Sequence, residues 1–526
     1  SDGTYSNCTI IVTDSAGNAS SALSVSTFVV DTTAPSVSSF TLSDTALKAG
    51  DNATVTLVFS EAVASFSSDA DITAAGTAGA ADNGSLATMT SSDNKTWEGT
   101  FTPLANTEED NNTLSLATSY TDLAGNAGPA ATTANYAIDT LLPTISSVTA
   151  GWGTFLNATE DNSSGTVTIV TSGAENGQTV TVALNSDNYT DTVLDNSTSV
   201  TFAASGLQAL TDGDNYTLTT NVSDAAGNAA TVNTGTSFTY DITAPTISGG
   251  VAITSATGIQ NNLLNAGDNV SVTVTFSENV PVTNTPQLTL AVGDDNQTAT
   301  YVSSDSGDTT LVFQYTIQAG DNDSNGISIR ANALALNNGT IRDLAGNNAT
   351  LTHSVVDNNS SYKVDTTLPT VSSVAITGED GIQNSFLNAG DNVSVTATFS
   401  EAVIVDNSSG NPTLTLVVGS DNRTATYTSG DNSTELVFRY TIQAGDNDSN
   451  GISIRANALD DNSSTIRDPA LNDAILTHSA VDNNSSYKVD TTLPTVSSVA
   501  ITGEDGIQNS FLNAGDNVSV TATFSE

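Results

Sequence analysis

The sequence Asp-Thr-Thr-Leu-Pro-Thr stands at 365–370 and returns unchanged at 490–495, with looser versions opening at Asp31, Asp139 and Asp241. A motif that recurs at near-constant intervals is the signature of a tandem array. Proline lacks the N–H that a sheet ladder needs and pushes the preceding residue into an extended conformation, so each copy is a short, stiff hand-over between strand-rich units. The intervals are 108, 102, 124 and 125 residues, each long enough for one sandwich-sized core. The expected organisation is the C-terminal part of a domain at 1–30, whole domains at 31–138, 139–240, 241–364 and 365–489, and the N-terminal part of a domain at 490–526.

Each unit closes alike, on Asp14-Ser-Ala-Gly-Asn18, Asp122-Leu-Ala-Gly-Asn126, Asp224-Ala-Ala-Gly-Asn228 or Asp343-Leu-Ala-Gly-Asn347. Asp468-Pro-Ala-Leu-Asn472 departs by carrying leucine where the others carry glycine. Residues 316–326 return at 441–451, and 481–526 repeat 356–401 without a difference over 46 positions. The end fragments, of 30 and 37 residues, are together too short to complete one another. No signal peptide starts at Ser1, so a longer parent is expected.

The formal charge of −47 comes from 57 acidic residues against only 10 lysines and arginines. Ten dispersed cations cannot supply the basic footprint that nucleic acid or an anionic membrane requires, whereas metal cations or a saline exterior suit the balance. The single cysteine, Cys8, gives no disulfide framework and no thiolate cluster. No apolar run approaches the roughly 18 to 20 residues of a membrane span.

Val55, Leu57 and Phe59 alternate with Thr54, Thr56 and Val58, the period-two signal of a half-buried strand. Short strands separated by Gly/Asn/Asp turns recur along the chain, the pattern of all-β sandwiches. In 365–489 the expected strands are 370–376, 393–399, 413–418, 423–428, 435–443, 452–456 running on towards Arg467, and 475–481.

Three motifs occur together: Asp-x-Ala-Gly-Asn ahead of Asp-Thr-Thr-x-Pro-Thr, Ala-Gly-Asp ahead of Phe-Ser-Glu, and Tyr-Thr-Ile-Gln-Ala-Gly-Asp. In this combination the chain resembles the bacterial immunoglobulin-like tandem repeats of giant cell-surface adhesins and biofilm-associated proteins. The resemblance covers essentially the whole chain. It implies seven-stranded immunoglobulin-like β-sandwiches in an extended rod, and a calcium-stiffened extracellular stalk that holds an adhesive tip away from the cell.

Strand parity adds a geometric expectation. Loops after even-numbered strands return to the linker that opens the domain, which puts Glu401 and Asp468 near Asp365. Loops after odd-numbered strands fall at the far pole, which puts Asp391, Asp446, Asp448 and Asn450 near Asp490. The rule applied to the preceding unit brings Asp268, Asp321, Asp323 and Asn325 towards Asp365. The corresponding acids of the other units are Asp31, Glu61 and Asp122; Asp139 and Asp224; and Asp241, Glu278 and Asp343. So many carboxylates around short linkers repel unless a cation intervenes. Ca²⁺ accepts about six to eight oxygen ligands with tolerant geometry, whereas zinc or copper wants His or Cys. The only histidines, His353 and His478, are repeat equivalents of each other. Asp321-Asn-Asp-Ser-Asn-Gly326 matches the first half of an EF-hand loop, but Asn332 stands where its bidentate Glu belongs, so it reads as a calcium-style β-loop. The competing reading is plain turn chemistry, since Asp and Asn side chains bond to nearby backbone.

Of 53 asparagines, 28 stand in Asn-x-Ser/Thr with x not proline, close to twice the chance expectation. N-glycosylation is thus an expectation, for example at Asn296, Asn422, Asn432 and Asn462. Catalysis has little support, because no Gly-x-Ser-x-Gly elbow, phosphate-binding loop or Cys/His pair is present. A carbohydrate-binding module would need exposed aromatics, and neither Trp97 nor Trp152 recurs in the duplicated units. The expected role is a non-catalytic spacer whose partners are its neighbouring repeats, with a host or cell-surface ligand bound outside this segment. At about ten residues per long strand, four units span on the order of 150 Å. The alternative is a subunit of a self-assembling extracellular filament or surface layer, in which other copies of the chain are partners.

Overall fold

Period-two patterning fixes the strands. Along Asn392–Asp406 the residues Val393, Val395, Ala397 and Phe399 are buried, and Ala53, Val55, Leu57 and Phe59 repeat the pattern along Ala53–Phe59. A strand with one apolar face must lay it against another layer, and the resulting sheets are mainly antiparallel, with parallel pairings such as Phe386–Leu387 against Lys488–Asp490. The computed structural model describes residues 1–76 and 83–526 and is all-β. Among the described residues its α-helices are two single turns, Ser68–Asp71 and Ala204–Leu207. The chain falls into two compact units, residues 1–243 with 344–347, and residues 244–343 with 348–526.

In the first unit, Val37–Leu42, Ala53–Phe59, Thr96–Pro103 and Gly84–Leu86 form one sheet of 31–138. The facing sheet is centred on Glu108–Leu116 and Tyr136–Asp139. Leu57, Phe101, Leu114 and Tyr136 meet between them. Residues 139–240 pack Thr144–Ala150, Gly165–Ser172 and Ser197–Phe202 against a five-stranded sheet centred on Asn215–Val222. Trp152 lies inside that core, edge-on to Phe202 and Phe238, and Trp97 packs edge-on to Phe66. Both tryptophans therefore serve packing.

In the second unit the duplicated repeats share one plan. Val371–Asp380 pairs with Asn392–Asp406, and the sheet continues through Ser433–Thr441, Asp421–Ser429, Thr413–Val418 and Ser453–Asp460. A small second sheet joins Phe386–Leu387, Lys488–Asp490 and Asn447–Asp448. Leu414, Leu416, Leu436 and Phe438 are fully buried between the layers. Each such side chain contributes about 1.5–3 kcal/mol of hydrophobic stabilisation.

The register carries the functional geometry. Val371 faces Phe399 and Asp380 faces Asn392, so Glu401 returns to the linker at 365 while Asp391 stands at the opposite pole. Asn447 faces Asp490, which brings the loop of Asp446 and Asp448 to that same far pole. One expected element differs. Residues 475–481 form no strand; Ile475 bridges Thr370 and Val481 bridges Ile454, with side-chain bonds between. His478 Nε2 accepts the Ala458 N–H at 2.8 Å, and the His478 N–H donates to Asn457 Oδ1 at 3.0 Å. These bonds replace a ladder in the middle of the segment.

Candidate metal centres at the linkers

Each linker opens on an aspartate that caps its own turn. Asp365 Oδ1 accepts the Thr367 N–H at 3.0 Å, Asp31 Oδ1 the Thr33 N–H at 3.0 Å, and Asp139 Oδ1 the Leu141 N–H at 3.2 Å. The closing loop of each unit is also self-capped. Asp468 Oδ1 accepts the Asn472 N–H at 2.9 Å while Oδ2 accepts Asn472 Nδ2 at 2.7 Å. Asp224 and Asn228 repeat the pair at 2.7 and 2.9 Å, as do Asp122 and Asn126 at 2.9 and 2.8 Å. The asparagine then reaches the linker: its Nδ2 donates to the carbonyl oxygen of Asp31, Asp139 or Asp365, at 3.1, 2.9 and 2.9 Å from Asn126, Asn228 and Asn472.

This anchoring gathers carboxylates. Asp365, Glu401 and Asp468 each bring one oxygen within 4.8 Å of the other two, and Asp31, Glu61 and Asp122 do the same. In the second unit Glu278 and Asp343 approach each other within that distance. Asp241 Oδ1, in the first unit, accepts the Thr243 N–H at 3.2 Å.

Burial pushes the Glu401 carboxyl up, and the charges of Asp365 and Asp468 add to the effect. Burial likewise raises Asp468, against the bonds from Asn472, and raises Glu61 beside Asp31 and Asp122. Burial acts the same way on Asp122, but there the bonds from Asn126 and from Ala124 outweigh it and hold the carboxyl below its ordinary range. Among the described residues no lysine or arginine makes an ion pair with Asp365, Glu401 or Asp468.

Three clustered carboxylates, with oxygen donors only, fit a hard divalent cation. The two opposite oxygens on Ca²⁺ are about 4.8 Å apart, given a Ca–O distance near 2.4 Å. The site could thus hold a metal through Asp365 from the linker, Glu401 from the strand return and Asp468 from the closing loop.

The linker at 139 has a member that sequence reading missed. Glu175 Oε2 accepts the Ala225 N–H at 2.7 Å inside the Asp224 loop, and its charge acts on Asp139, whose carboxyl is raised mainly by burial. This unit lacks Phe-Ser-Glu; the recoverable signal is that Glu175 is the first acid after the strand Gly165–Ser172.

The remaining sequence-predicted residues bond within their own turns and to neighbouring strands. Asp268 Oδ2 accepts the Asn265 N–H at 2.9 Å, and Asp391 Oδ2 the Asn388 N–H at 2.8 Å. Asp321 accepts Tyr315 Oη at 2.6 Å, Gln297 Nε2 at 2.8 Å and the Gln318 N–H at 2.8 Å. Asp323 accepts the Asn325, Gly326 and Gly293 N–H groups. Asp446 and Asp448 repeat these roles, with Arg423 Nε 2.7 Å from Asp446 in place of Gln297, and the Asn450 N–H donates to Asp448. The exposed Asp490 caps Thr492. Asn296, Asn422, Asn432 and Asn462 are all exposed.

Residues 31–138 match the model of the bacterial Ig-like domain family. No curated protein matches the chain. Among solved structures, a domain of the M. primoryensis ice-binding adhesin is 31% identical, covering 19% of this chain and 95% of its own, with a TM-score of 0.15. A Ca²⁺-stabilized adhesin with which an Antarctic bacterium binds ice is 20% identical, covering 87% of this chain and 99% of its own, with a TM-score of 0.33. A 1.5-MDa bacterial ice-binding adhesin is 19% identical, covering 66% and 98%, with a TM-score of 0.34. By this match residues 31–138 belong to the bacterial immunoglobulin-like domain family, and the chain is an all-β array of immunoglobulin-like repeats.

Proposed function

We propose that the chain is a stalk segment of an extracellular surface adhesin, non-catalytic, whose successive domains are stiffened by calcium bound at the linkers. The observation that carries this reading is the triad Asp365, Glu401 and Asp468, together with its repeat Asp31, Glu61 and Asp122. One ligand comes from the linker and two come from separate elements of the domain that follows. A bound Ca²⁺ supplies the positive charge that the triad lacks and ties the linker to that domain. Without it, like charges around a proline-containing linker leave the junction less stiff, as small inter-domain contacts allow. A spacer needs repetition and rigidity, and repulsion relieved by an abundant extracellular cation supplies the second.

The test is small-angle scattering and titration calorimetry of the whole chain with calcium and then with chelator. It is run on the parent and on a variant carrying Glu61→Gln, Glu278→Gln and Glu401→Gln. The expected result is that calcium binds the parent and lengthens and sharpens its distance distribution, with little change in the variant. A parent that binds no calcium overturns the reading. A particle mass that grows with calcium would replace the stalk by an assembling filament.

A further inference from the structure

The triad at 365 joins the linker to the repeat that follows it, and none of its three carboxylates belongs to the repeat before. That earlier repeat is held by other groups. Asn265 Nδ2 donates to the Ala470 carbonyl at 2.8 Å, and Asn261 Nδ2 donates to the Pro469 carbonyl at 3.1 Å. Both acceptors lie in the Asp468–Asn472 loop, whose Asn472 already grips the Asp365 carbonyl. The chain before the linker, the linker, and the chain after it thus meet at one loop through neutral hydrogen bonds.

The junction at 139 reaches the same end with different atoms. The Ala49 N–H donates to Asn228 Oδ1 at 2.7 Å, while Asn228 Nδ2 donates to the Asp139 carbonyl and to Asp224. Lys48 occupies the turn position that Asn265 holds in the later repeat, since Leu47-Lys-Ala-Gly-Asp51 aligns with Leu264-Asn-Ala-Gly-Asp268. Its Nζ lies 3.3 Å from where a Cβ on Gly227 would stand. A lysine and an asparagine at one position, each reaching the next repeat's loop, suggest that contact with the loop is what this position supplies.

We propose that this turn-to-loop pairing is a metal-independent clasp that fixes the direction of the junctions at 139 and 365, with Asn261, Asn265 and Asn228 as its positioning residues. The carboxylate triad then governs stiffness about a direction already set. Only the division of labour with calcium rests on the stalk reading; the clasp itself does not.

The experiment uses the full chain with Cys8→Ser and nitroxides placed through Asn296→Cys and Asn422→Cys, exposed positions on the two repeats that flank residue 365. Distances are measured by double electron–electron resonance in chelator and in calcium. In chelator the parent should give one narrow distribution, and Asn261→Ala with Asn265→Ala should broaden it at least about twofold. Asn265→Lys, which borrows the residue at position 48, should keep it narrow, a rescue that loss of fold would not allow. The clasp is overturned if the parent in chelator is already as broad as the double alanine variant, or if that variant stays as narrow as the parent. A narrow parent distribution in chelator, with no response to calcium and no calcium bound, upholds the clasp and sinks the calcium reading alone.

Discussion

Asn472 Nδ2 lies 2.7 Å from Asp468 Oδ2 and closes its loop although Leu471, between them, holds a φ of +71°. Gly125 and Gly227 hold +94° and +90° at the same place in the other loops. The leucine departure in Asp468-Pro-Ala-Leu-Asn472 therefore leaves the turn intact and moves its cost into the backbone.

That cost is recoverable. An L-residue in the left-handed region is disfavoured by roughly 1–2 kcal/mol, and Leu471 is 40% exposed, so little packing is lost when it is removed. Leu471→Gly should raise stability by about 1 kcal/mol, after allowing for the greater freedom of glycine in the unfolded chain. Urea unfolding of parent and variant measures it. A variant less stable than the parent would mean that the leucine side chain outweighs its backbone strain.

Acid should act oppositely on the junction with and without calcium. A carboxyl whose pKa is raised on folding stabilises the fold below its unfolded pKa, and that contribution is lost as pH rises through the folded pKa. Glu401 and Asp468 are both raised, first by burial and then by neighbouring carboxylates. In chelator, Glu401→Gln should therefore raise the melting temperature at neutral pH, and the gain should fade as pH falls through the carboxylate range. In calcium the same substitution should lower the melting temperature at neutral pH, because a ligand is lost. Equal effects in both conditions would remove Glu401 from the site.

Much of this was legible in the sequence because repetition fixes register. Once Asp365-Thr-Thr-Leu-Pro-Thr370 marks the linker and period two marks the strands, parity alone brings Glu401 and Asp468 back to Asp365. Side-chain direction was not legible. Asp321 and Asp446 reach the expected pole, yet they turn inward to Tyr315 and Tyr440, partners set by packing across the sheet. The segment 475–481 has strand composition but spends its hydrogen bonds on His478 and Asn457, which no periodicity reveals. Glu175 escaped because its unit lacks the Phe-Ser-Glu frame that marks Glu61 and Glu401.

The pair Arg423 and Asp446 offers a comparison already present in the chain, since Gln297 meets Asp321 in the preceding repeat with no formal charge. Arg423 is partly exposed, at 30% of its side chain, and Asp446 is buried at 1%. Arg423→Gln should cost no more than about 1 kcal/mol, because the amide can donate as Gln297 does and exposed charge adds little. Asp446→Ala should cost several times more, about 3–5 kcal/mol, since it strips acceptors from the Tyr440 hydroxyl, the Gln443 N–H and Arg423 at once. Urea midpoints of the two variants give the ratio, and near-equal losses would show that the ion pair itself is what matters.

The linkers should also differ in metal affinity. Asp365, Glu401 and Asp468 converge within 4.8 Å, and Glu401 is half-buried, so a bound cation there is shielded and its attraction to the carboxylates is strong. At 139 the corresponding glutamate, Glu175, is exposed and already accepts the Ala225 N–H. Calcium should leave the 139 junction first as chelator is added. Terbium luminescence, titrated into variants with Glu175→Gln or Glu401→Gln, separates the two. Glu401→Gln should remove a tight class of sites, whereas Glu175→Gln should shift only a weak one. Magnesium should compete poorly at both, because it demands near-octahedral geometry at about 2.1 Å and sheds its water reluctantly, while these oxygens come from three separate segments that their own hydrogen bonds hold apart. Displacement by magnesium at concentrations similar to calcium would show that the segments close further than the turns at Asp365 and Asp468 now allow.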